Sequence, residues 1–224
     1  MTVALWFARD AWGDGDIPAS VRHAAKLPDA PSGRTTSSSP EERALLERVH
    51  AGDRKAFDTV ASIHWNALWR YAYRFVGARD VADDVVQDVL FDVWRRHEQL
   101  DPQRSLRGYL FGAVRLRTKT LLRHERTVHR VESAHDPLTV AGIGESAERD
   151  DTLGEQSELV AALERLLDTL PETRREILVL RWWHGLTYDE IASIVGLGVS
   201  AVKMQVHRAT ALFRPMLERE FRER

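Results

Sequence analysis

Apolar residues recur at helical spacing in blocks from about residue 40 to residue 214, and capping residues and glycines stand between the blocks. The first block opens on Ser39-Pro40-Glu41-Glu42, a capping-box spacing with proline at the first helical position, and its stripe is Leu45, Leu46 and Val49, ending near Gly52. Asp53 is placed to cap a second helix, in which Phe57, Val60, His64, Ala67, Tyr71 and Phe75 repeat up to Gly77. Asp80 is placed to cap a third, where Val81, Val85, Val89 and Val93 form a core stripe widened by Ala82 and Val86. Ser105 opens a fourth, with Leu106, Leu110, Val114 and Leu121 on its core side and Phe111 and Leu122 beside them.

The block over residues 169–214 is the most sharply punctuated. Thr169 and Glu172 have capping-box spacing around Pro171, and Gly185 has the place of a helix-ending glycine. Thr187 and Glu190 repeat the capping box, with Leu186 and Ile191 as the staple. After Gly196-Leu197-Gly198 a further helix is expected from near Ser200 to the Arg214-Pro215 step. Val202, Val206, Ala209 and Phe213 fall within roughly 60° of one another on its wheel and form the buried stripe. Ser200, Lys203, Met204, His207, Arg208 and Arg214 cover much of the rest. Two short helices, a glycine-bearing turn and a helix with small, polar and basic outward residues make a helix-turn-helix pattern. The plainer alternative is an amphipathic hairpin with a solvated outer face. Ala192, Gly196 and Val202, small residues where two helices cross closely, favour the DNA-binding reading.

Two outward faces carry further chemistry. On the third helix Asp84, Gln87, Asp88, Phe91 and Trp94 fall within an arc of roughly 120° away from the valines. Aromatics among carboxylates suit a basic partner; equally, Phe91 and Trp94 can pack on a neighbouring helix. On the fourth helix Arg115, Lys119, Arg123 and Arg126 form a basic stripe bordered by Tyr109 and Leu116, with Gly108 and Gly112 on the same side. Cations edged by an aromatic suit single-stranded DNA, and a merely solvated charged face is the alternative. His64 reads as a core or boundary histidine, because no second ligand has matching spacing.

Composition narrows the classes. Hydrophobic residues make up 43% of the 224 residues, enough for packed cores, but no apolar run approaches membrane-spanning length. The opening MTVALWFARD is not a secretory signal. With no cysteine there is no disulfide and no thiolate metal site, which fits a cytoplasmic protein. No cofactor and no metal are expected. Net charge is only −2, so a DNA-binding chain must concentrate its cations locally. Asp83-Asp84 with Asp88 is similar to the magnesium-diphosphate motif of prenyl synthases, yet no second aspartate-rich helix follows, since Asp150-Asp151 lies in a loop-like stretch. The fold class expected is all-α: two small helical domains, about 39–126 and 158–224, the second a helix-turn-helix domain. They are joined by a flexible acidic linker over 127–157 and preceded by a flexible extension over 1–38, with a short helical turn at 21–26. Trp6, Phe7 and Trp12 are unusual in such a tail; either they dock on a folded surface or the true start lies downstream.

Taken together, residues 40–220 resemble the extracytoplasmic-function sigma factors of bacterial RNA polymerase. The resemblance rests on Ala82-Asp83-Asp84, Gln87-Asp88, Leu90 and Trp94 in the first domain, then Tyr109-Leu110 and Arg115-Leu116. In the second domain it rests on Leu170-Pro171 with Arg174, and on Ala201-Val202-Lys203 with Arg208-Ala209. It implies core RNA polymerase as a partner, its β′ clamp met by Asp84, Gln87, Asp88, Phe91 and Trp94 and its β flap by the second domain. Promoter DNA is the second implied partner. The melted minus-ten element would be met by Arg107, Tyr109, Arg115, Lys119 and Arg123, and the minus-thirty-five element by Ser200, Lys203, Met204, His207 and Arg208. An anti-sigma factor is a further partner for members that have one. The resemblance implies a non-catalytic factor whose linker threads the RNA-exit path. The chain departs from the family at Leu116, where asparagine is usual, at Thr120 for aspartate, at Ala201 for threonine and at Gln205 for arginine, so no promoter sequence carries over. The competing reading is a free-standing helix-turn-helix regulator that binds duplex DNA without polymerase; such a protein has no need of the Asp84 to Trp94 face.

Overall fold

The corner between the first two helices shows how local chemistry sets the path of the chain. In a computed structural model, which describes residues 7, 10, 11, 40–101, 104–133 and 158–222, α1 (Pro40–His50) meets α2 (Arg54–Val76) at Asp53. One Asp53 carboxylate oxygen accepts from the Lys55 and Ala56 amides at 2.9 and 3.1 Å, and the other accepts from Arg48 at 2.7 Å. The Arg48 hydrogen bond, and after it the Ala56 amide, hold the Asp53 carboxyl below the usual carboxylate range. Gly77 ends α2 in the left-handed region at φ 70°. That turn makes Ala78 the boundary residue of α3 (Arg79–Arg95), with no side-chain cap. Asp80, expected as the cap, is already in the first helical turn, where its charge faces the positive end of the helix instead.

A single 3-10 turn, His97–Gln99, leads from α3 to α4 (Leu106–Ser133), which Ser105 caps by accepting from the Gly108 amide at 3.0 Å. Helices α2, α3 and α4 pack on one another, and α1 packs on α2. Their shared core holds Leu68, Tyr71, Val85, Val86, Val89, Val93, Leu110, Phe111 and Val114, all buried, with the Tyr71 and Phe111 rings meeting edge-on at 5.3 Å. Each such side chain contributes about 1.5–3 kcal/mol on burial, which fixes the rotation of all three helices. Leu90 joins this core beside the valine stripe. Helix α4 runs on through Ser133, past the domain boundary expected at residue 126.

The second unit contains α5 (Glu158–Asp168), α6 (Glu172–Leu178) running into a π turn (Val179–Trp183), α7 (Tyr188–Val195) and α8 (Val199–Arg222). Thr169 does not cap α6: its hydroxyl donates back to the Leu166 carbonyl at 2.7 Å, and Pro171, which has no N–H, takes the N-cap position. Arg175 folds back onto the end of α5, donating to the Leu167 and Asp168 carbonyls at 3.1 and 3.0 Å. Those are orphan acceptors at the negative end of a helix, so a guanidinium suits them doubly. The Thr187–Glu190 capping box forms in full, and Gly196 closes α7 at φ 73°. Helix α8 does not stop at Pro215. Phe213 and Leu217 on either side of it are fully buried, and their packing offsets the roughly 3 kcal/mol cost of an interior proline.

Phe7, Asp10 and Ala11 belong to this second unit. Phe7 is fully buried and meets Trp182 edge-on at 4.9 Å, so part of the stretch expected to be a flexible extension is docked. Trp6, Trp12, the turn at 21–26, the Ser39 cap, the Arg126 side chain and the linker from 134 to 157 lie outside the described residues. Among the described residues there is no β-strand, and no helix is long and apolar enough to cross a membrane.

Candidate polymerase and DNA interfaces

The valines of α3 point into the core, which turns Asp84, Gln87, Asp88 and Phe91 outward. Phe91 is 61% exposed, with the Arg95 guanidinium 5.8 Å from its ring centre. Trp94 separates from it. Half-buried, it stacks on His97 at 4.8 Å, tilts against Phe57 of α2 at 5.1 Å, and lies under the Arg54 guanidinium at 5.4 Å. The two readings of these aromatics are thus each realised once: Phe91 stands on the outward face, and Trp94 packs on a neighbouring helix. Asp88 forms an ion pair with Arg117 of α4, a residue with no sequence signal pointing to it, so the acidic face is tied to the basic helix.

On α4, Tyr109 and Leu116 are 45% and 70% exposed. Arg115 and Lys119 are half-buried and Arg123 is exposed, along one side of the helix away from Leu110, Phe111 and Val114, whereas Arg107, also half-buried, falls on the core side between Val114 and Phe111. His64 of α2 faces this region. Burial, and after it the nearby Arg107 charge, push its pKa down to about 4, so the ring is neutral at physiological pH.

In the second unit Val202, Val206, Ala209 and Phe213 are all buried, and Ser200, Lys203, Met204, His207 and Arg208 are all exposed. The rotation of α8 is held from α6 as well, because Arg174 donates to the Gln205 side chain at 2.8 Å. Tyr188, the first residue of α7, was not singled out by the sequence. Its ring lies 5.8 Å from the Lys203 ammonium and 4.6 Å from the Arg181 guanidinium. Burial and the Asp10 charge raise its phenol above the ordinary range, so it is a hydroxyl donor at neutral pH. Among the described residues no group of three or more histidines and carboxylates is placed to hold a metal ion.

Comparison with known proteins fits both units. The sigma-70 region 2 family matches residues 62–128, and the sigma-70 region 4 family matches residues 161–211. The chain is 30% identical to the ECF RNA polymerase sigma-E factor of Haemophilus influenzae over 75% of its own length and 90% of that protein's. The chain belongs to the extracytoplasmic-function sigma factors of the sigma-70 family. This sigma factor is also 29% identical to the RNA polymerase sigma factor CnrH of Cupriavidus metallidurans, over 79% of its length and 94% of CnrH. The solved structure of CnrH with the cytosolic domain of CnrY aligns with 79% of the sigma factor and 96% of that chain, at a TM-score of 0.54 and 27% identity. The sigma factor RpoE of Bartonella quintana, solved with the anti-sigma factor NepR, shares the fold at a TM-score of 0.52 and 22% identity. As a sigma factor the chain directs RNA polymerase in transcription initiation. Its region 2 is the α2–α4 unit, and its region 4 is the helix-turn-helix unit.

Proposed function

We propose that the two units divide promoter recognition between them while the polymerase supplies all the catalysis. The outward face of α3, with Asp84, Gln87, Asp88 and Phe91, docks on the β′ clamp of core polymerase, and Trp94 shapes that face from below. On α4 the stripe of Arg115, Lys119 and Arg123, with Arg107 near the helix start, neutralises the phosphates of the melted minus-ten strand, with Tyr109 beside an unstacked base. Helix α8 lies in the major groove of the minus-thirty-five element and presents Ser200, Lys203, Met204, His207 and Arg208. An anti-sigma factor is the proposed regulating partner; it is supported by the CnrH structure, which was solved with the cytosolic domain of CnrY.

One observation carries this reading: α8 buries its apolar stripe completely and leaves every predicted reading residue in solvent. The test is to mix the purified chain with core polymerase and assay promoter-specific transcripts. A stable complex that initiates at discrete promoters is expected. A chain that binds duplex DNA but neither binds polymerase nor supports initiation would return the free-standing regulator.

A further inference from the structure

The Asp10 carboxylate accepts four hydrogen bonds. Arg181 grips it with both arms of its fork, Nε on Oδ2 and Nη2 on Oδ1, each at 2.9 Å. The Trp182 indole N–H donates to Oδ2 at 3.1 Å, and the Tyr188 hydroxyl donates to Oδ1 at 3.2 Å. The pair is nearly dry, with 12% of the Arg181 side chain and 8% of the Asp10 side chain exposed. Arg181 is braced in turn by its Nη1 bond to the Leu186 carbonyl at 3.1 Å. Two neighbouring contacts hold the segment in place: Phe7 sits against Trp182, and Arg214 of α8 donates to the Ala11 carbonyl at 3.3 Å.

All four donors belong to the helix-turn-helix unit, and only the anion comes from the N-terminus, 171 residues from Arg181 in sequence. The unit has a core of its own in Leu163, Leu167, Ile177, Ile191, Val202, Val206, Phe213 and Leu217, so the N-terminal residues can leave without dismantling it. What they leave behind is a guanidinium fork, a phenol and an indole N–H, converging on two oxygens about as far apart as the two non-bridging oxygens of a phosphodiester. The site adjoins the reading helix, since Tyr188 also contacts Lys203 and Arg214 lies on α8.

We propose that Asp10 is a tethered anion occupying a DNA-phosphate site made by Arg181, Trp182 and Tyr188, so that the N-terminal segment competes with promoter DNA for region 4. The proposal rests on α8 being the DNA reader. A tethered competitor lowers apparent affinity by the fraction of time it is docked, and removing its charge restores the binding-competent fraction. Docking through an ion pair is itself weakened by salt, so the tethered competitor flattens the salt dependence of DNA binding, and removing its charge restores the full slope.

The test measures binding of the full chain, alone and with core polymerase, to a minus-thirty-five duplex across a salt series. Asp10→Asn keeps the shape and removes the charge. It is expected to raise affinity about five- to tenfold and to steepen the log–log salt slope by about 0.9. Adding Arg181→Gln to Asp10→Asn should erase both gains. Lys203→Ala and Arg208→Ala in the parent chain keep the two failures apart. If they leave binding intact, α8 is not the reader; if they weaken it while a folded Asp10→Asn binds like the parent, the Asp10 proposal alone is overturned. A second measurement covers the case in which Asp10→Asn does not fold. The chain has no cysteine, so a spin label on Ala11→Cys reports docking in an otherwise native protein. Saturating duplex should free the label, and a label that stays immobile with DNA bound overturns the proposal.

Discussion

His97 stacks on Trp94, with ring centres 4.8 Å apart and planes 15° from parallel, while its Nδ1 donates to the Trp94 carbonyl 2.8 Å away. The histidine thus braces both the ring and the backbone at the end of α3, and Phe57 closes the ring in from α2. Trp94 and Phe91 should therefore separate folding from binding. Trp94→Ala is expected to lower stability by about 2–3 kcal/mol, from lost burial and lost aromatic contact. Phe91→Ala should change stability by less than about 0.5 kcal/mol yet weaken polymerase binding by about 2 kcal/mol. Urea unfolding beside a polymerase-binding titration checks the pair; equal effects of the two substitutions on stability would sink the distinction.

The α4 stripe predicts a salt signature. Replacing Arg115, Lys119 or Arg123 singly with glutamine should flatten the log–log salt dependence of minus-ten single-strand binding by about 0.7 per lost phosphate contact. Slopes that stay at the parent value in all three variants would show the stripe to be a solvated face.

On α8, Lys203→Ala and Arg208→Ala distinguish two kinds of contact. Loss of a base contact should cost about 1–3 kcal/mol and relax preference at one position, whereas loss of a phosphate contact weakens all sequences alike. Binding-site selection with each variant beside the parent tells them apart, and unchanged selection and affinity in both would remove α8 as the reader.

His64 predicts acid sensitivity in the first unit. Its folded pKa of about 4 lies below the ordinary 6.5, so on acidification the unfolded chain takes up the proton first. Stability is unaffected above the unfolded value and is lost as pH falls from about 6.5 toward 4, by about 2 kcal/mol at pH 5. The difference in unfolding free energy between pH 7.5 and pH 5 should shrink by that amount in His64→Gln. An identical pH dependence in the variant would mean the ring is not what titrates.

Thr118 is 1% exposed, and its hydroxyl has no hydrogen-bond partner. Removing an unsatisfied buried hydroxyl while keeping the shape should stabilise, so Thr118→Val is expected to gain about 1 kcal/mol. A lower melting temperature for the valine variant would show that the hydroxyl is satisfied in solution.

Wherever a residue's role depends on neighbours within one helical turn or one capping motif, the sequence determined it. The Asp53 and Ser105 caps, the Thr187–Glu190 box, the left-handed Gly77 and Gly196, and the full stripe of α8 follow from spacing alone, because helix periodicity and end chemistry are local. The same locality made the exposed face of α8 legible, and the motif order made the family legible. Where a local signal competed with packing, the tertiary structure decided. Thr169 gave its hydroxyl to the helix before it, Pro215 was carried along by buried Phe213 and Leu217, and Trp94, at the edge of the outward arc that holds exposed Phe91, turned toward α2. Contacts between distant residues had no sequence signal at all: Asp88 with Arg117, Arg174 with Gln205, and Asp10 with Arg181. Hydrophobic period specifies which side of a helix is buried, but the partner of a polar side chain is set by which helix the core brings beside it.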